Sequence, residues 1–189
     1  MLRLVYELII LWLLMQMPVH GFLIVKIIND MIGPVARASN SNIYPLLNRL
    51  AAGGQVEVFE EKTSENGLPM RVYRITGLGR ERFHELLLDV SSHPRDQREI
   101  FAIKVLAFTF LNSAERIYLI EHYIDFCRKH IQHFAAEAAD YKERAVTTPA
   151  PGAIMTDVLG TMQHYQARWE LELAWALSLK ERESGKAPG

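Results

Sequence analysis

The stretch from Ser39 to Val58 constrains the fold of this chain more than any other segment. Its sequence, SNSNIYPLLNRLAAGGQVEV, predicts a short helix that ends at Gly53-Gly54 and leads into a β-rich run. A second β-rich run, at Arg71–Ile75, follows a polar tip that contains Asn66-Gly67. A helix followed by such a hairpin is the layout of a winged helix-turn-helix, which offers one helix to a DNA groove.

The two sides of this predicted helix differ in polarity. At about 100° per residue its apolar side chains share one face, which is formed by Ile43, Leu46, Leu47 and Leu50. Ser39 is the expected N-cap, and polar donors occupy the helix start and the opposite face. We predict that these donors and two basic residues of the hairpin contact DNA. The predicted DNA-binding residues are Ser39, Asn40, Ser41, Asn42, Tyr44, Asn48, Arg49, Lys62 and Arg71.

Two further helices precede this motif. An apolar helix is expected from about Leu2 to Gln16, ending before Pro18, and a second helix from about His20 to Ile32. Because the first helix is apolar nearly all round, we expect a partner subunit to share in burying it. Pro45 removes a backbone donor from the helix that follows, so propensity alone favours a later start or a kink there.

The second half of the chain has a helical pattern throughout. Thr76 is expected to cap a helix over about Gly77–Val90, the polar breaker Ser91–Pro94 is the predicted domain boundary, and helices are expected over about 95–111, 113–145 and 153–182. Apolar residues in the helix at about 113–145 repeat at alternating steps of three and four, as in a coiled-coil seam, and the last helix has an apolar side. The predicted dimer interface consists of Ile117, Ile120, Ile124, Cys127, Ile131, Phe134, Val158, Met162, Tyr165 and Trp169.

Composition narrows the class of protein. A chain of 189 residues with 49% apolar residues can bury one or two cores, and its single cysteine cannot form an intrachain disulfide. The expected location is therefore a reducing compartment, the cytoplasm. The net charge of -1 shows no overall basic excess, so any DNA-binding surface must be local. The apolar start has features of a signal peptide, but Glu7 interrupts it and no cleavage pattern follows, so we favour a buried helix and no membrane.

One segment has the spacing of a metal site. Cys127, His130, His133 and Glu137 follow one another at steps of three and four, which brings side chains together on a helix. A small buried residue in the seam is the simpler interpretation of Cys127, so no metal and no cofactor is predicted. No phosphate-binding loop, nucleophile elbow or HExxH pattern occurs in the sequence, and we predict no enzymatic activity.

Two groups of residues leave an effector site open. Lys104, inside an apolar run, could pair with an anionic effector or extend its charge out of a buried helix. Aromatic side chains could stack on a flat ligand or belong to the core, and these are Trp12, Trp169, Trp175 and Tyr165.

Three segments have a specific combined spacing, and they are MPVHGFLIVKIIND, SNSNIYPLLNRLAAGGQVE and GLPMRVYRITGLGRERF. Together they resemble the PadR-like family of transcriptional regulators over about Leu8 to Leu88. The second half, from HPRDQREIFAIKVLAF onward, is similar to members with a large C-terminal dimerisation domain, of the virulence activator AphA type. Positions that match the recognition helix, the wing and the glycine after it are Ser39, Asn42, Tyr44, Pro45, Gly67, Pro69 and Gly79.

The resemblance implies a dimeric winged-helix regulator, usually a repressor, of a family in which several members respond to small aromatic or drug-like effectors. Two positions depart from the family pattern. Leu68 stands where the wing usually has an arginine, and Phe22 replaces the common tyrosine. Wing binding is therefore expected to rely on Arg71 and Lys62.

The predicted fold class is mostly α, with a winged helix-turn-helix DNA-binding domain at about 1–90. An antiparallel long-helix dimerisation domain is predicted at about 95–182, followed by a frayed tail at 183–189. The predicted function is a sequence-specific transcriptional regulator, a homodimeric repressor that binds a double-stranded DNA operator and responds to a small effector. The alternative is a helical protein-interaction module that retains the winged helix as a scaffold.

Overall fold

The computed structural model describes residues 2–32, 38–63, 69–91, 96–147 and 152–185. Within these ranges the elements are α1 (Leu2–Gln16), β1 (Val19–His20), α2 (Gly21–Ile32), α3 (Asn40–Ala52), β2 (Val56–Thr63), β3 (Pro69–Ile75), α4 (Gly77–Leu88), α5 (Gln97–Leu106), α6 (Ser113–Thr147) and α7 (Gly152–Ser184), with a 3-10 turn at Phe108–Phe110. The chain divides into two compact units, Met1–Phe110 and Leu111–Gly189. The mostly helical fold with a winged helix-turn-helix in its first half confirms the predicted fold class.

Helix α1 forms the centre of the first unit. It contacts α2, α3, α4, α5 and β3, and Ile9, Ile10 and Leu11 are fully buried. The expectation that a partner subunit must share in burying this helix is therefore wrong. Five neighbouring elements of the same unit surround α1, which is how a helix that is apolar on all sides can be buried within one chain.

The sheet has three antiparallel strands in the order β1-β3-β2. Strand β1 was not expected from the sequence, because two residues are too short for a periodic signal. It pairs Val19 with Tyr73 and so joins the start of α2 to the wing. Strands β2 and β3 are longer than expected, and the register shifts at Phe59, where one extra residue forms a bulge. The predicted turn at Asn66-Gly67, with Leu68, lies outside the described residues.

Thr76 connects the end of α3 to the start of α4. As expected, it is the N-cap of α4, and its hydroxyl accepts a hydrogen bond from the Gly79 amide at 3.1 Å. The same hydroxyl donates to the Gly54 carbonyl at 2.6 Å. Gly54 has a φ of 70°, which favours glycine. A Cβ on Gly79 would lie 2.0 Å from the Gln55 carbonyl oxygen, so only glycine allows this close approach.

The second unit is a pair of antiparallel helices, α6 and α7. Arg116 pairs with Glu183 at 2.7 Å near one end, and Phe134 contacts Tyr165 farther along, with ring centroids 5.3 Å apart. Helix α7 continues to Ser184, so the first two residues of the tail that was expected to fray are helical. Residues 186–189 lie outside the description.

The residues predicted to form a dimer interface have different positions in this helix pair. Ile120, Ile124 and Cys127 are buried within the chain, and Tyr165 is exposed. The others are half-buried, and they are Ile117, Ile131, Phe134, Val158, Met162 and Trp169. Their role in dimerisation stays a prediction.

The predicted domain boundary lies mostly outside the described ranges, which omit residues 92–95. Helix α5 contacts α1 and belongs to the first compact unit. The assignment of residues 1–90 to DNA binding and 95–182 to dimerisation stays a prediction. In the part of the chain that is described, no helix is long and apolar enough to cross a membrane.

Candidate nucleic-acid interface

Helix α3 has the two faces that its sequence predicts. Ile43, Leu46, Leu47 and Leu50 are buried, which confirms the apolar face. The helix begins at Asn40 and continues through Pro45, so it does not start later as propensity alone would favour. Burial of the four aliphatic side chains offsets the missing proline donor, and tertiary packing thus overrides local propensity.

The opposite face of α3 is exposed and rich in hydrogen-bonding groups. Asn40, Ser41, Asn42 and Asn48 are all exposed, as is Ser39 at the N-cap position. The Ser39 side chain does not cap the helix; its hydroxyl shares a hydrogen bond of 2.7 Å with the hydroxyl of Ser41. These side chains form one polar surface, and we call the exposed residues 39–42 and 48 the polar face of α3.

Tyr44 lies at the edge of the polar face, half-buried against the start of α2. A Cβ added to Gly21 would approach the Tyr44 ring to 3.0 Å and its hydroxyl oxygen to 3.1 Å. Glycine at this position therefore makes room for the tyrosine. The contact places one candidate phosphate donor beside the junction between β1 and α2.

Asn29 of α2 fixes the residue that precedes the N-cap of α3. Its Nδ2 donates to the Ala38 carbonyl at 3.0 Å, and the Ala38 amide donates to its Oδ1 at 2.7 Å. Because both groups of the side-chain amide are used, the start of α3 is held in one orientation relative to α2.

Arg49 is less available to DNA than its sequence position suggests, because its side chain is paired with a carboxylate. Its Nη2 donates to Oε2 of Glu7 in α1 at 3.3 Å, while Oε1 of Glu7 accepts from Nε of Arg82 in α4 at 3.0 Å. Glu7 is only 8% exposed. Sequence reasoning missed this network, although a carboxylate inside an apolar helix is a signal, since a buried charge needs partners.

The two arginines of the wing are also paired. Arg71 donates to Glu61 across the strands at 3.1 Å, and Arg74 donates to Glu57 at 2.8 Å. The Arg74 guanidinium additionally lies 4.5 Å from the centroid of the Phe59 ring. The described part of the wing therefore presents little uncompensated positive charge. The side chain of Lys62 lies outside the description, as does that of Pro69.

The segment of α6 that has the spacing of a metal site does not have the surroundings that this spacing suggests. Cys127 is fully buried, and burial raises the pKa of its thiol to about 12. The imidazole of His130 stacks on Trp169, with ring centroids 4.2 Å apart and planes 6° apart. Among the residues that the structure describes, no three histidine, cysteine or acidic side chains come together as a metal site would require.

Lys104 does not extend into solvent, so the interpretation that it extends its charge out of a buried helix is wrong. The side chain is 4% exposed, and its Nζ donates to the Asp89 backbone carbonyl at 2.5 Å. Burial lowers the pKa of Lys104 to about 8, an effect that the nearby Asp89 carboxylate opposes. Lysine can be buried at this position because the Asp89 backbone carbonyl, directly after α4, supplies a part-buried acceptor.

Comparison with known proteins gives a family match within the first unit. The model of the transcriptional regulator PadR-like family matches residues 10–85. No curated protein matches the sequence. The structure of Bacillus subtilis PadR in complex with operator DNA is similar over 91% of this chain and 99% of that chain, with a TM-score of 0.43 and 20% identity.

Two further solved structures show comparable similarity. The complex of Bacillus subtilis PadR with p-coumaric acid has 21% identity and a TM-score of 0.40, over 91% of this chain and 98% of that chain. The Vibrio cholerae virulence activator AphA has 22% identity and a TM-score of 0.37, over 96% and 99%. The family match spans the helix-turn-helix, the wing and most of α4, so this part of the chain is similar to the transcriptional regulator PadR-like family.

Proposed function

We propose that this protein is a sequence-specific DNA-binding transcriptional regulator that acts as a homodimeric repressor. The observation that carries the proposal is the arrangement of α3, where four buried aliphatic side chains lie opposite an exposed polar face. A PadR-like domain match over the same residues supports it. A helix held by one face and exposed on the other is the element that a winged helix-turn-helix inserts into a major groove.

The side chains of α3 have different roles in this proposal. Asn42 and Asn48 read base edges, because an asparagine amide can pair with adenine in the major groove. Ser39 and Tyr44 donate to phosphates and so set the register of the helix on the duplex. The wing contributes Arg71 and Lys62 to the adjacent backbone, and Arg71 must exchange Glu61 for phosphate when it does so.

The charges on the surface predict a weak dependence on salt. The net charge is -1, and both Arg49 and Arg71 have carboxylate partners. Each phosphate neutralised by a protein cation contributes about 0.9 to the slope of log K against log salt. We therefore expect few released counterions and an affinity that depends mainly on hydrogen bonds in the groove.

Homodimerisation is supported by exposed apolar side chains on α6 and α7, of which Leu171 has the highest exposed fraction, 73%. Tyr118, Ile154 and Tyr165 are also exposed. A symmetric dimer would bring two copies of α3 to successive major grooves of a pseudo-palindromic operator. Sedimentation at micromolar concentration is expected to give a dimer, and a monomer would contradict this part of the proposal.

Release by a small aromatic effector extends the proposal, and the resemblance to the family supports it. Trp169 is already stacked on His130, so a flat ligand at this position must displace the imidazole. The proposed setting is the cytoplasm, where a free thiol such as Cys127 stays reduced. Titration of the DNA complex with small aromatic acids tests the effector, and an unchanged affinity across the panel would argue against it.

A binding experiment separates this function from the alternative of a protein-interaction module. Fluorescence anisotropy of labelled duplexes from the region upstream of the protein's own gene is compared with random duplexes of equal length. We expect preferential binding of at least one upstream duplex, by about a thousandfold or more at physiological salt. Equal affinity for all duplexes, or no binding, would favour the interaction module.

A further inference from the structure

A groove of about 410 Å³ lies between α1 and α3, beside the polar face of α3. Helix α1 contributes Arg3 and Tyr6 to its lining, and α3 contributes Ser41, Asn42 and Arg49. Its described lining contains two guanidinium groups and no carboxylate. Such a combination of cations and neutral donors is complementary to a phosphate group.

Arg3 has no structural explanation within the described residues. It is exposed, and the structure gives its guanidinium no ion pair or hydrogen bond there. It also lies in the first turn of α1, where a cation is unfavourable because the helix dipole is positive at that end. The same dipole favours an anion near Arg3, so a bound phosphate would remove the unfavourable interaction.

Arg49 gives the groove a second, oriented cation. Its Nη2 is bound to Glu7, which leaves Nε and Nη1 as further donors of the guanidinium. A neighbouring groove of about 800 Å³ shares Arg3 and Arg49 and adds Arg82. Glu7 and Glu85 also line this second groove, and each pairs with Arg82. The first groove is therefore the more positive of the two.

We propose that Arg3 and Arg49 bind a backbone phosphate of the same duplex that α3 reads. The inference rests on the proposed DNA binding and adds α1 to an interface that otherwise consists of α3 and the wing. Because Ser41 and Asn42 belong both to the groove and to the polar face, the phosphate lies at the edge of the major groove that α3 occupies. The contact positions the helix and does not read sequence.

The test compares Arg3→Ala with Arg98→Ala, which removes the same charge from an exposed site on α5 paired with Glu99. Binding to the operator and to random duplexes is measured by anisotropy across a salt series. Arg3→Ala is expected to weaken both by a similar factor, roughly tenfold, and to lower the salt slope by about 1. Arg98→Ala should change neither, and Arg3→Lys should restore the slope.

The outcomes distinguish failure of this contact from failure of the proposed function. If the wild type prefers an operator but Arg3→Ala behaves like Arg98→Ala, the phosphate contact is overturned and DNA binding stands. If the wild type prefers no duplex, both are overturned. Inorganic phosphate, titrated at constant ionic strength, should not compete with DNA. Competition that Arg3→Ala abolishes would assign the groove to a free anion instead.

Discussion

Glu7 of α1 accepts a hydrogen bond from Arg49 of α3 at 3.3 Å, so a buried carboxylate orients a cation of the proposed DNA-binding helix. Because the same carboxylate also binds Arg82 of α4, it connects three helices of the first unit. The carboxylate therefore has two consequences. It stabilises the packing of α3, and it lowers the positive charge that Arg49 offers to DNA.

Replacing Glu7 by Gln separates these consequences. The neutral amide keeps the shape but loses two charge-assisted bonds, so we expect the free energy of unfolding to fall by about 1–3 kcal/mol. Affinity for random duplexes should rise, because Arg49 is no longer neutralised. Urea unfolding and anisotropy measure the two effects. Glu99→Gln, at an exposed pair with Arg98, is the matched control. A variant with unchanged stability would show that the network contributes nothing.

A second prediction concerns the polar face of α3 and its preference for operator over random DNA. Asn42→Ala removes an exposed amide, so stability should change little. If Asn42 reads a base, operator affinity falls by about 1–3 kcal/mol while affinity for random DNA is nearly unchanged. Gln163→Ala on α7 serves as the control for loss of an exposed amide. Equal losses on both duplexes would mean that Asn42 contacts phosphate only.

A third prediction concerns the wing, where Nε of Arg71 lies 3.1 Å from Oε1 of Glu61. Glu61→Gln removes the carboxylate that competes with phosphate for the arginine. We expect several-fold tighter binding to every duplex and a steeper salt dependence. Arg71→Ala, in contrast, should weaken binding and make its salt dependence less steep. The double variant should behave like Arg71→Ala. Any gain from Glu61→Gln that persists in the double variant would have a source other than Arg71.

The parts of the fold that the sequence predicts are those determined by neighbouring residues. The buried face of α3 follows from the spacing of Ile43, Leu46, Leu47 and Leu50, and the Thr76 cap follows from a local turn. The same holds for the exposed polar face, which depends only on helical periodicity. These features needed no knowledge of what packs against them.

The parts that the sequence does not predict depend on residues distant in the chain. Glu7 and Arg82 are 75 positions apart, and the pairing of Val19 with Tyr73 joins a two-residue strand to the wing. The same reason explains the error about α1, whose covering elements come from four other helices and one strand. Exposure of the α3 face was thus predictable, whereas the neutralisation of Arg49 and Arg71 was not.

Lys104 makes a prediction about pH. Its pKa is lowered from 10.5 to about 8 by burial, so between these values the unfolded chain binds more protons than the folded one. Stability must then rise with pH across this window. The contribution of Lys104 is complete above pH 10.5 and is lost as pH falls through about 8, a span worth up to about 3 kcal/mol.

The measurement is urea unfolding of the wild type and of Lys104→Met at several pH values from 7 to 11. Other groups titrate in both proteins, so the difference between the two free energies of unfolding isolates Lys104. We expect this difference to shift in favour of the wild type as pH rises, because the neutral amine loses its desolvation cost and can still donate to the Asp89 carbonyl. A difference that stays constant with pH would show that Lys104 keeps its ordinary pKa and is solvated in the folded protein.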